Sequence, residues 1–158
     1  MGTLTNPKRI LGFVGRVTIV HVVSYFIAGA IFSTVFNYAA MYSKPEMACF
    51  MRPMSSPLVT FGPLFQFIRG PIIALALIPF RRVFLERKWG WVPLWGALFV
   101  LMQLAPQGVS PGSIEGWIYT KVPVSFGLKF LPESIIYTGI LSWIVFLWER
   151  RAERKSQQ

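Results

Sequence analysis

The sequence predicts an all-α integral membrane protein, a four-transmembrane-helix bundle with both termini on the cytoplasmic side. Three observations predict it. The 158 residues are 54% hydrophobic and only 14% charged, where a soluble domain carries about 25% charged residues. The charges are missing from whole stretches rather than thinned evenly, as a bilayer core that takes about 20 apolar residues per helix requires. Lysine and arginine gather in short runs between those stretches, mostly on alternate sides, as the positive-inside rule demands.

The predicted spans are 17–41, 61–80, 91–107 and 131–148, within a single domain covering 1–158. The first apolar run is 27 residues long, from Val17 to Ser43. That is too long for a signal-peptide core of about 7–15 residues, so it reads as a retained span. Orientation follows from the flanks. Lys8, Arg9 and Arg16 precede span one; Arg81, Arg82, Arg87 and Lys88 join spans two and three; Arg150, Arg151, Arg154 and Lys155 lie in the tail. The opposite side holds only Lys44, Arg52, Lys121 and Lys129. This places both termini inside, with 149–158 a basic cytoplasmic tail continuing the last helix. The setting this suits is multi-pass, in a prokaryotic cytoplasmic membrane. The third loop opens Gly108-Val109-Ser110-Pro111-Gly112-Ser113, and its middle, Ile114 to Tyr119, is expected to form a short interfacial helix anchored by Trp117 and Tyr119.

Composition also excludes. A net charge of +10 invites a nucleic-acid reading, but nucleic-acid binders cluster their cations on one solvent face, and here they are spread along the membrane edges. Cys49 is the one cysteine and His21 the one histidine. One copy of the chain therefore makes no internal disulfide and no haem with two axial histidines. There is no aspartate, and no Walker, HExxH or GxSxG motif. Hydrolytic or metal-dependent catalysis is not expected, and no cofactor is indicated.

Arg69 is the strongest signal. It lies twelve residues before Arg81, about 18 Å along a helix and just past the bilayer midplane. A guanidinium there costs about 3 kcal/mol on insertion scales, so a carboxylate, a bound anion, carbonyls or water must offset it. Gln66, three residues earlier, shares its helical face. Gly70-Pro71 follows at once; proline removes a backbone donor, so a kink and a hinge are expected there. Glu133 is the natural partner for Arg69. It follows Pro132, which is well suited to the first position of span four, where a carboxylate gains from the helix dipole. Glu115, Tyr119 and Lys121 in the third loop and Arg52 before span two complete a polar, largely cationic set on the outer side. Arginine in such a set favours phosphate or carboxylate. His21 is expected to hydrogen-bond a neighbouring helix. Ser24, Ala28, Gly29 and Ser33 are suited to close helix packing or a homo-oligomer seam. Met47, Cys49, Met51 and Met54 offer soft ligands of the kind that select Cu(I), though without defined spacing; flexible apolar packing is the competing reading.

Three functions fit. The first is a binding or transport protein with an outward-facing cavity for an anionic small molecule or lipid headgroup. The second is a small accessory or homo-oligomeric subunit of a membrane complex. The third is a membrane enzyme acting on a lipid-like substrate, with Glu115 or Glu133 as acid/base, although a carboxylate paired with a cation is a poor proton donor. Membrane lipids are the expected partners in each.

Overall fold

A computed structural model describes residues 7–106 and 108–155. Among them the chain is all-helical, 78% in helices and without strands. α1 is Pro7–Val35, a long apolar helix opened by proline at a position where no backbone donor is needed. It ends at Phe36-Asn37, where Asn37 adopts the left-handed conformation (φ 48°) and its side chain caps α2, Tyr38–Tyr42, by accepting from the Ala40 amide at 3.2 Å. α3, Pro45–Ala48, and α4, Pro57–Thr60, each begin on proline. A 3-10 turn, Gly62–Phe65, leads into α5, Gln66–Leu77. α6 is Arg81–Leu85, and α7, Trp91–Phe99, runs on into a π turn, Val100–Leu104. α8 is Ile114–Tyr119 and α9 is Val124–Lys155.

Several boundaries differ from the sequence reading. The first helix starts at Pro7 and stops at Val35 rather than reaching 41. The third ends at Leu104; the expected end at Gln107 lies outside the described residues, as do the last three residues of the tail. The fourth begins at Val124, seven residues before 131. There Phe126 packs with Tyr38, Met41 and Met47, and Phe130 lies against the same cluster, so tertiary burial extends the helix past its apolar run. Pro132 is consequently inside α9 and not at its first position. Glu133 loses the dipole role expected of it, because that effect fades beyond the first turn. α5 continues through Gly70-Pro71, and the irregular backbone falls earlier, at Gly62–Phe65. Gly70 is a packing position: a Cβ there would sit 2.9 Å from the Thr18 Cα, so its absence lets α5 back onto α1. The short helix expected in the third loop is α8, held by Ser113, whose hydroxyl accepts from the Gly116 amide at 2.9 Å.

α1 lies between α5 and α9, and α9 between α1 and α7. Neighbours run antiparallel: Gln66 meets His21 while Gly70 meets Thr18, and Arg16 meets Glu149 while Gly29 meets Glu133. One apolar cluster, including Phe13, Val17, Ala74, Phe84, Leu94 and Leu141, runs between α1, α5, α6, α7 and α9. The outer faces are also apolar: Leu11, Ile19, Phe26 and Ile31 of α1 are all more than half exposed. Soluble monomers rarely leave such continuous apolar surface uncovered. Two helices, α1 and α9, are long and apolar enough to cross a membrane; Gly62–Leu77 and Trp91–Leu104 are apolar but shorter.

Candidate functional site

At the end of the bundle opposite α6 the helices line an open-sided cavity of about 860 Å³. Arg69 reaches it from α5 and Arg52 from the segment before α4; Glu133 and Ser134 come from α9 and Gln103 from the π turn. Tyr25, Tyr38, Tyr42 and Tyr137 contribute phenols. The sequence of α1 folds so that small residues face this space: Gly29 and Ser33 line it, and a Cβ on Gly29 would touch the Glu133 carboxylate at 3.8 Å. Ser24 and Ala28, by contrast, are buried in the helix packing.

Glu133 accepts a hydrogen bond from the Tyr38 hydroxyl at 2.5 Å. Gln103 bridges walls, its oxygen accepting from the Ser134 hydroxyl at 2.7 Å and its amide nitrogen donating to the Pro111 carbonyl at 3.3 Å. It sits in a π turn, a distortion common at functional sites. The Tyr42 phenol, beyond the end of α1, is pushed up to about 12 by burial, with the Glu133 carboxylate adding to the effect; it therefore remains a hydrogen-bond donor at neutral pH. Arg69 and Arg52 have no hydrogen bond or ion pair among the described residues.

Tyr137 joins the cavity to a buried network. Gln66 gives its amide nitrogen to the Gly62 carbonyl at 3.4 Å, which leaves its oxygen facing His21 Nε2 at 3.0 Å. That nitrogen then carries the proton, and Nδ1 accepts from the Tyr137 hydroxyl at 2.5 Å. His21 is 0% exposed and ties α1 to both α5 and α9.

Of the residues read from sequence as ligand-binding, the structure brings Arg52, Arg69 and Glu133 to one cavity. Gln66 is turned away from it, towards His21. Glu115, Tyr119 and Lys121 are exposed on and after α8 and do not line it. Of the hinge pair, Gly70 packs against Thr18, and Pro71 lies inside the unbroken α5. Met47 is buried in the apolar cluster with Tyr38 and Phe126, with Met51 and Met54 packed around it. Cys49 is exposed, its thiol directed at the Glu46 carbonyl. The four tyrosines and Gln103 were not singled out from sequence: tyrosine at the ends of a span reads equally as an interfacial anchor.

A second charged cluster lies at the other end. Glu149, 0% exposed, accepts from Arg16 and from Arg81, the latter through Nε at 3.1 Å and Nη2 at 2.8 Å. Arg81 also pairs with Glu153 at 2.8 Å. The start of α1, the start of α6 and the end of α9 therefore share one end of the molecule.

The fold and site define an all-helical protein with two helices long and apolar enough to cross a membrane and a charged cavity. Compared with protein-family models, curated proteins and solved structures, the chain matches none.

Proposed function

We propose that the chain is a four-span membrane protein with both termini at the basic inner face, and that its outer-half cavity binds an anionic small molecule or lipid headgroup, for uptake or for transfer. The span assignment is supported by the meeting of Arg16, Arg81 and Glu149, which gathers the three basic flanks at one end, and by the apolar stretches Gly62–Leu77 and Trp91–Leu104 between the two long helices. Exposed Cys49 offers a native reporter: a membrane-impermeant maleimide should label it in intact cells, and labelling only after lysis would reverse the orientation.

The observation that carries the binding reading is Arg69, a guanidinium near the predicted midplane that faces a cavity and has no partner among the described residues. A permanent cation at that depth costs about 3 kcal/mol, and with neither a carboxylate nor a carbonyl bonded to it among the described residues, a bound anion is the offset this reading assigns. The test is to purify the protein in mild detergent and identify what it releases by mass spectrometry. Wild type should carry a phosphate- or carboxylate-bearing species, and folded Arg69→Ala about tenfold less, the ratio expected from losing a charge-assisted contact. Equal amounts from both would remove the proposal; a variant that cannot fold would assign Arg69 to structure.

A further inference from the structure

The cavity carries both signs of charge on separate walls. Glu133 takes its hydrogen bond from a phenol, and no cation pairs with it among the described residues. Arg69 and Arg52 likewise meet no carboxylate among the described residues. A carboxylate and a guanidinium that face one space without pairing are complementary to a ligand bearing both an ammonium and an anion.

The wall around Glu133 is aromatic. Tyr38 stacks on Tyr42 with ring centroids 5.7 Å apart, and Phe130 lies 5.3 Å from Tyr38. Tyr25 and Tyr137 meet edge to face at 6.0 Å on the same lining. Ring faces beside a carboxylate recognise ammonium groups, quaternary ones above all. Arginine on the opposite wall suits phosphate.

Size and opening indicate where such a ligand comes from. A volume of about 860 Å³ is about thirty times that of a water molecule, far beyond what a free small ion fills. α5 packs on α1 and α7 packs on α9, but α5 and α7 make no extended contact with each other. Ile68 and Ile72 of α5 and Leu101 of the π turn are all more than 60% exposed, so apolar surface flanks the space between them.

We infer that the ligand is a zwitterionic membrane lipid, its phosphate against Arg69, its ammonium against Glu133 and the surrounding tyrosines, and its acyl chains leaving between α5 and α7. This rests on the binding reading above and narrows it. The test is native mass spectrometry of the full-length protein titrated separately with phosphatidylcholine, phosphatidylethanolamine, phosphatidylglycerol and soluble phosphocholine. At least one of the two zwitterionic lipids should bind about tenfold more tightly than phosphatidylglycerol, and soluble phosphocholine more weakly than that lipid. Glu133→Gln should erase the preference while phosphatidylglycerol still binds. Equal or stronger wild-type binding of phosphatidylglycerol would overturn the inference and leave the anion site standing. Phosphocholine binding as tightly as the lipid would overturn the lipid source. If Arg69→Ala keeps every lipid, the anion site itself fails. The wild-type comparison needs no variant, so a Glu133→Gln protein that does not fold leaves the test intact.

Discussion

The two ends of the bundle use the same chemistry to opposite ends. At the α6 end, Glu149 holds Arg16 and Arg81, and Glu153 adds to Arg81. At the cavity end, Arg69, Arg52 and Glu133 face open space and none of them meets an opposite charge among the described residues. The first arrangement satisfies itself. The second leaves charges that only something outside the chain can satisfy. Residue type therefore does not separate a paired charge from an unpaired one; the packing of the helices does.

The largest effect should come from breaking the closed end. Glu149→Ala would leave Arg16 without its carboxylate and the buried Arg81 with Glu153 alone, and should destabilise by about 3 kcal/mol, measured by denaturant unfolding in detergent. A cost below about 1 kcal/mol, the range of exposed pairs, would mean that this end is wet and equivalent to the other.

Arg69→Met should have the opposite sign. Removing an unpaired cation in favour of an apolar side chain should stabilise the lipid-free protein by about 1–3 kcal/mol, seen as a raised melting temperature, while binding is lost. Destabilisation of similar size would show that Arg69 is paired after all and collapse the contrast.

The smallest effect is expected at Tyr38→Phe. Loss of the hydroxyl that donates to Glu133 should cost about 1 kcal/mol in thermal unfolding and weaken lipid retention only slightly. A large loss of retention would make that phenol a direct ligand contact.

Much of this was legible in the chain. The apolar runs announce helices, the short helix expected over Ile114–Tyr119 has those bounds in the structure, and Arg69 stands out because a charge inside an apolar run has few explanations. Arg52 and Glu133, which sequence groups with it, share its cavity. Other residues were not legible. Glu149 looked like the first charge of a solvated tail, yet it is fully buried through contacts 133 and 68 residues away. Gln66 shares a helical face with Arg69 by spacing, but α5 packs on α1 there, so one side chain is buried and the other is not.

The sequence by itself determined the helical class, the division into apolar and basic segments and the presence of a cation, Arg69, inside an apolar run, because hydropathy and charge act locally and read out residue by residue. Tertiary structure alone decided which charges are paired, where α9 begins, and that four tyrosines line one cavity with Glu133. Those outcomes depend on which helix faces come together, and that is settled by packing between segments more than a hundred residues apart, such as His21 and Tyr137.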